Sequence, residues 1–399
     1  MTHTLSTTRQ EELRRWQGWA LAVGAVALVA CLVGAWFQSM AFFRAYLVAY
    51  LFFLGIAHGC FATLMVFYLT GGAWGFLIRN TLEAGMRTLP ILAVLFVPIA
   101  LGALGTREGY LYVWADPEEV AASAELQHKQ IYLNVPFFLV RAGLYFVLWL
   151  VVAYFLNKWS AAQDRTGDPV FARKLTKLSG PGLVIYGITI FFSSTDWIMS
   201  LQPAFRSTIT GPLFASGEIL TGFACALIVM AWLVARPPLA DVVSAEAVGD
   251  LGSLLFTFLI IWAYMTFFQF MLIWIANLPY DVMWYVPRSG WGWQWAAWTI
   301  FTLHFGVPFF LLLMRDVKRS PRMLAALAGL ILLMHLVYLY FEIMPAFPAS
   351  SAAEHWMDFA VPVAVGGLWL AYFFWDLRHH PVLPRHDANQ EGAVYLHQL

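Results

Sequence analysis

The sequence predicts an all-α, polytopic membrane protein of about ten transmembrane helices, with helices 2–5 and 6–9 as two four-helix bundles and helices 1 and 10 flanking them. Three observations carry this reading. Ten apolar runs follow one another along 399 residues, each near the ~20 residues that a helix needs to cross a bilayer. Hydrophobic residues make up 61% of the chain and charged ones 12%, where soluble domains carry about 25% charged residues. The connections are mostly short, as antiparallel neighbours in a bundle require.

Taken in order, the first run is Trp16–Phe37. Glu11, Glu12, Arg14 and Arg15 precede it, so residues 1–15 read as a cytoplasmic stub rather than a cleavable signal. Arg44–Thr70 holds His58, and Met86–Leu104 is interrupted by Pro98. The outer connection Gly105–Asn134, with Asp116, Glu118, Glu119 and Glu125, suits a short surface helix. Val135–Asn157 contains Arg141, Gly182–Leu201 contains Asp196, and Pro212–Ala235 contains Glu218. Leu251–Asn277 carries Gln269. The loop Leu278–Gln294 is crowded with Tyr280, Trp284, Tyr285, Trp291 and Trp293, which suits interfacial anchoring or docking of an extramembrane partner. Trp295–Met314 with His304 and Pro308, Met323–Glu342 with His335, and Met357–Asp376 complete a membrane domain at 16–376. Bundle one falls at about 44–201, bundle two at about 212–342, and residues 377–399 read as a cytoplasmic tail.

Aromatic belts and charge set the orientation. Trp16, Trp19, Trp36, Trp114, Trp159, Trp284, Trp291, Trp293 and Trp295 fall near run ends, where indoles anchor to the interface. Arg and Lys divide seventeen to the side of the termini and the even-numbered loops, among them Arg79 and Arg87, against five opposite, among them Arg288. That bias places both termini in the cytoplasm. A weak internal echo supports two parallel bundles: Val135-Pro136-Phe137-Phe138-Leu139 recurs as Val307-Pro308-Phe309-Phe310-Leu311, and Asp196-Trp197-Ile198-Met199 resembles Glu342-Ile343-Met344.

Ionisable groups at membrane depth are costly and point to function. Arg141, Asp196 and Glu218 lie at a similar depth and are expected to form one buried cluster. His58, His304 and His335 sit near mid-membrane, where imidazole is suited to relaying protons. Two helical stripes lead outward: His335, Tyr338 and Glu342 on one helix, and Tyr186, Thr189, Ser193 and Asp196 on another. The same groups could instead lock helices together, line a quinone head group or, if His304 and His335 converge, ligate a b-type haem. Cys31, Cys60 and Cys225 stand singly, which excludes covalent haem, iron–sulfur and zinc-knuckle motifs and suggests inert buried thiols. There is no P-loop, dinucleotide fingerprint or HExxH, and zero formal net charge argues against nucleic acid. The chain is not expected to be catalytic alone.

Several segments resemble the F-subunit family of alternative complex III, a bacterial membrane quinol:electron-acceptor oxidoreductase. They are Tyr46–Gly59 (YLVAYLFFLGIAHG), Tyr132–Arg141 (YLNVPFFLVR), Asp196–Leu201 (DWIMSL), Ser207-Thr208-Ile209, Ala263–Pro279 (AYMTFFQFMLIWIANLP), Gly290–Gln294 (GWGWQ) and His335 in LLMH. The resemblance covers helices 2 to 9 in order. It implies an integral subunit related to the NrfD/polysulfide-reductase type, of two four-helix bundles plus two helices, in the inner membrane of a bacterium and in a respiratory or photosynthetic chain. It also implies partners: a second NrfD-like membrane subunit, iron–sulfur and haem c subunits that hold the redox centres, and surrounding lipids. This chain would support the complex and supply a proton-transfer path, with room for a bound quinone or menaquinone and no covalent cofactor. Arg141, Asp196 and His335 are the polar positions carried over from the family, with His58 beside them. The alternatives from other classes are an autonomous secondary transporter and a purely structural anchor.

Overall fold

The computed structural model describes residues 7–235, 243–290, 292–347 and 356–380. The first six residues, Arg236, Trp291 and the tail from 381 onward lie outside the described residues. Ten helical segments among the described residues are long and apolar enough to cross a membrane. They are α1 (Thr8–Phe37), α2 (Ser39–Thr70), α3 (Ala73–Leu104), α4 (Val135–Thr166), α5 (Pro169–Leu201), α6 (Thr210–Val234), α7 (Ala245–Ala276), α8 (Trp293–Leu313), α9 (Pro321–Ala346) and α10 (Met357–His379). The all-α polytopic fold read from the sequence is the one observed.

Sequence punctuation fixes the helix ends. Gly167 adopts the left-handed conformation (φ 67°) that closes α4. Asp168 then caps α5 by accepting from the Val170 amide at 2.8 Å, and Pro169 occupies the first turn, where no amide partner is needed. Asn134, Ser244 and Ser320 cap α4, α7 and α9 in the same way. Asn277 (φ 46°) ends α7 just before Pro279. In the outer loop, Asp116 and Ser123 cap two short helices, Pro117–Ala122 and Ala124–Lys129, where the sequence suggested one.

Prolines bend two spans, and the freed backbone groups find other partners. α3 is helical over Ala73–Met86, Leu89–Val94 and Val97–Leu104, broken ahead of Pro90 and Pro98. The hydroxyls of Tyr46 and Tyr50 on α2 donate to the carbonyls of Leu95 (2.7 Å) and Leu92 (3.1 Å) at the breaks. In lipid such carbonyls need a partner from within the protein. α8 widens into a π-helical stretch over Ile300–Gly306, just ahead of Pro308. Such wide turns are rare and recur at functional sites, and this one contains His304.

The ten segments pack as two bundles joined through their second and sixth members. α2–α5 form one, α6–α9 the other, and α1 lies along α10. α2 is the central stave: over its most apolar stretch it is 94% buried, against 11% for α1. α2 meets α6 backbone to backbone. A Cβ placed on Gly59 would collide with the Glu218 carbonyl and Gly222 Cα, and one on Gly222 would collide with Gly59 and Cys60. Gly55 and Gly59 form a GxxxG pair, the small-residue spacing that lets membrane helices approach closely. Cys60 and Cys225 flank this crossing as free thiols, as Cys31 is elsewhere.

The face carrying residues 7 and 380 is stitched by long-range polar contacts. Arg9 donates to the Leu233 carbonyl at 2.8 Å and Arg378 to Gln17 at 2.8 Å. Arg79 and Arg87, read from sequence as loop charges ahead of a helix starting at Met86, instead lie within α3. Arg79 is 1% exposed and bonds Glu83 (3.1 Å), Ser160 (2.6 Å) and Asp164 (3.2 Å). Arg87 bonds Asp376 on α10 at 2.9 Å. The polar composition of 79–87 imitates a loop because its charges cancel in pairs. On the opposite face Arg288, also read as a loop charge, is buried over the Trp284 ring and bonds the carbonyls of Trp284, Phe341 and Glu342. Trp16, Trp19, Trp36 and Trp295 are exposed as belt residues should be, whereas Trp114, Trp284 and Trp293 are buried and do not belong to a belt.

Two outcomes follow. Gly59→Leu is expected to separate α2 from α6, costing about 3 kcal/mol or more, and to abolish monodisperse elution in size-exclusion chromatography. Next to α10, hydrogen bonding from Asp376 raises the His380 pKa. A raised folded-state value means its contribution is full below about pH 6.5, the unperturbed value, and is lost as pH climbs through the raised one. Thermal unfolding of wild type should therefore show an acid-side gain that His380→Ala lacks.

Candidate functional site

Buried polar side chains gather in three places inside the bundles. Near the end of bundle one that lies away from residues 7 and 380, Arg141 of α4 makes a two-pronged contact with Asp196 of α5: Nε to Oδ2 and Nη2 to Oδ1, both 2.8 Å. Tyr145, one turn beyond Arg141, donates to Asp196 Oδ2 at 2.8 Å. The remaining guanidinium nitrogen donates to the Tyr132 carbonyl at 2.9 Å, and the cation stacks on the rings of Tyr132 and Phe137. Asp196 is fully buried and Arg141 is 7% exposed. Nearly every lone pair and N–H of this ion pair is matched, which is the condition for a stable buried pair.

Glu218 does not join that cluster. Depth along the helix put it level with Arg141 and Asp196, but α6 presents it across the glycine crossing. Its Oε1 lies 3.2 Å from His58 Nδ1 on α2, and its Oε2 accepts from the Tyr186 hydroxyl on α5 at 2.8 Å. The His58 ring stands edge-on to Trp149, centroids 4.2 Å apart. Trp149 in turn donates to Thr189 Oγ1 at 2.7 Å. The stripe Tyr186, Thr189, Ser193 and Asp196 is thus buried along its length, yet its members serve different partners.

The third group lies in bundle two. His304, held by the π-helical turn of α8, and His335 of α9 bring their rings to 5.4 Å. Trp262 of α7 packs 3.9 Å from the His304 ring, and Tyr338 lies 5.4 Å from that of His335. Aromatic rings thus pack against both imidazoles. Tyr338 leads outward to Glu342, which sits beside Arg288. Gln269 is buried farther out on α7.

A chamber of about 20 Å³ connects the second and third groups. It lies where α2, α5, α6 and α9 meet, with Gly55, Ser193, Ser194, Glu218 and His335 in its wall. A cavity above ~10–15 Å³ on this measure holds a water molecule if polar groups surround it. Gly217 makes room for His335, since a Cβ at that position would press on the imidazole Cε1 at 2.6 Å. Several polar atoms around this centre are buried without a hydrogen-bonding partner among the described residues: His58 Nε2, both ring nitrogens of His304, His335 Nδ1 and Trp262 Nε1. Each such group costs about 1–3 kcal/mol unless water reaches it. The centre is therefore unlike the Arg141–Asp196 pair, whose partners are all supplied by protein.

Sequence reading named the acids and histidines but missed their neighbours. Tyr145 was legible, because a residue four beyond Arg141 lies on the same helical face. Trp149 and Trp262 carry no such signal within apolar runs. The glycines at 55, 59, 217 and 222 were readable as small-residue spacings. No group of three or more His, Cys, Asp or Glu able to hold a metal ion occurs among the described residues.

The two acids should behave oppositely when neutralised. Asp196→Asn leaves the buried Arg141 without its counter-charge and is expected to cost about 3–5 kcal/mol. Glu218→Gln keeps shape and hydrogen-bonding capacity and should stay within about 1 kcal/mol. Unfolding of the two variants in detergent, followed by tryptophan fluorescence, checks the contrast. The sequence matches no protein-family model and no curated protein, so function has to be argued from these groups.

Proposed function

We propose that this chain is an integral membrane subunit of a quinol:electron-acceptor oxidoreductase of the alternative complex III type, and that it carries protons through the centre where its two bundles meet. The observation that carries the proton path is the water-sized chamber with Glu218 on one wall and His335 on another. A carboxylate, an imidazole and two hydroxyls around one water can pass a proton by exchange of hydrogen bonds, each group accepting on one side and donating on the other. On one side the route continues through His58 and Tyr186. On the other it continues through His304, Tyr338 and Glu342 toward the outer face.

The membrane subunit assignment rests on the ordered resemblance of helices 2 to 9. The quinol, the iron–sulfur clusters and the haem c groups belong, in this reading, to partner subunits in the same bacterial inner-membrane complex. Exposed Arg14, Arg15, Arg165, Arg173, Lys174 and Lys177 on the face of the termini support a cytoplasmic orientation for it. Arg141–Asp196 acts as a structural lock at the outer end. A solute-carrying transporter needs a midplane site sized for its substrate, and the chamber here is sized for water.

Affinity purification of the full chain from native membranes in mild detergent tests the assignment, with mass spectrometry and haem spectroscopy of what co-purifies. Recovery of a second NrfD-like subunit with iron–sulfur and haem c subunits, active in quinol oxidation, is expected. A chain isolated alone overturns it. Within the intact complex in vesicles, Glu218→Gln is expected to lower protons moved per electron toward the one per electron that quinol oxidation itself releases, while assembly survives. Unchanged proton stoichiometry in that variant would remove the path from the proposal.

A further inference from the structure

A second, larger concavity lies away from the proton centre. It is a cleft of about 530 Å³ between the outer ends of α5 and α7, one from each bundle, backed by the loop between α5 and α6. Its walls are apolar, with Phe191, Phe192, Leu272 and Ile273 among them. Its rim is not: Arg206, Ser207, Thr208 and Asp281 stand there. The size falls within the ~300–1,000 Å³ typical of ligand sites. An apolar cleft at the outer end of membrane helices, with both signs of charge on its rim, matches a molecule of the same division.

The rim guanidinium of Arg206 is mostly exposed, although it also pairs with Glu125. Glu125 is engaged by the Lys129 ammonium at 2.7 Å, which holds its carboxyl below the usual range. Arg206 lies farther from it, at 3.6 Å, and is 70% exposed. A guanidinium beside two hydroxyls is suited to a phosphodiester, which it can grip with two parallel hydrogen bonds. Asp281, on the short helix Pro279–Tyr285, supplies the opposite charge at the same rim. An anionic headgroup alone would leave that carboxylate facing a like charge.

We infer that this cleft is a binding site for a zwitterionic aminophospholipid of the outer leaflet. Its phosphate sits on Arg206 with Ser207 and Thr208, its ammonium on Asp281, and an acyl chain lies between α5 and α7. The lipid bridges the two bundles at their outer rim, where α5 and α7 present Phe192 and Leu272 to the membrane. The inference stands on the cleft and its rim and does not depend on the proton path.

Native mass spectrometry of the full chain in mild detergent tests this, titrating dioleoyl phosphatidylethanolamine, dioleoyl phosphatidylglycerol and dioleoylglycerol separately. Phosphatidylethanolamine is expected to be held most tightly. Arg206→Gln is expected to weaken it about tenfold, the equivalent of one charge-assisted contact. Asp281→Asn should lower its affinity toward that of phosphatidylglycerol, and Ala276→Trp should fill the cleft and displace it. All three positions lie on the rim or the outer helix end, and monodisperse elution verifies that the variants fold. Equal retention of phosphatidylglycerol or of diacylglycerol by wild type overturns the proposal. So does an Arg206→Gln or Ala276→Trp variant that holds the lipid like wild type.

Discussion

The close crossing of α2 and α6 is the constraint on which the interior depends. Apolar helices surrounded by lipid gain little from simply meeting, so tight association requires backbones to approach. Gly55 and Gly59 on one side and Gly222 on the other line that approach, while Gly217 faces His335 of α9. The same residues set the polar centre. A Cβ on Gly55 would touch Glu218 Cγ at 3.4 Å, and one on Gly217 would press on His335. Removing bulk from the crossing therefore brings an acid of α6 against a histidine of α2 and opens room for a histidine of α9. Gly55 serves both the packing and the placement of Glu218, and Gly217, one residue before that acid, makes room for His335.

Buried charge occurs here in two physically different forms. The pairs at the periphery of the bundles are saturated. Arg141 and Asp196 satisfy each other with help from Tyr145 and the Tyr132 carbonyl, and Arg79 spans Glu83, Ser160 and Asp164. Removing one charge of such a pair strands the other in a medium of low dielectric. The central groups are under-coordinated. Glu218 faces a histidine and a tyrosine rather than an arginine, and the facing imidazoles retain unmatched nitrogens. A group that is to gain and lose a proton needs that looser setting, which is why the proposed route runs through Glu218 and His335 and passes Asp196 by.

Hydropathy made the ten spans legible, since no other arrangement hides ten long apolar runs, and helical spacing placed the histidines and acids at depth. The boundaries were less legible: hydropathy ends the fourth run at Asn157 and starts the fifth at Gly182, whereas the helices extend through polar turns to meet at Gly167-Asp168-Pro169. The start of α3 was hidden because Arg79, Glu83 and Arg87 look like loop residues until Ser160, Asp164 and Asp376 arrive from α4 and α10 to neutralise them. The grouping of Glu218 with Arg141 failed for a related reason. Counting residues from a helix end gives depth but not azimuth, and Glu218 at the same depth points across the bundle boundary. Trp114, Trp284 and Trp293 were misassigned to the interface because an indole at a loop can also be covered by the loop itself.

The internal echo in the sequence acquires a physical meaning in its imperfection. Asp196 and Glu342 stand near the outer ends of α5 and α9, each just ahead of a short 3₁₀ turn and each beside an arginine and a tyrosine. To that extent the two bundles are equivalent. The centre is not. Glu218 belongs to bundle two by chain order, yet both its hydrogen-bonding partners, His58 and Tyr186, belong to bundle one. Two equivalent bundles with one acid each would hold two separate polar columns. An acid that leans from one bundle into the other would join the columns into the single proposed route with unequal halves, one holding a tyrosine and a histidine and one lined by two facing imidazoles. In the proposed path a proton would meet different partners in each direction, and a directional role requires that asymmetry rather than the repeat.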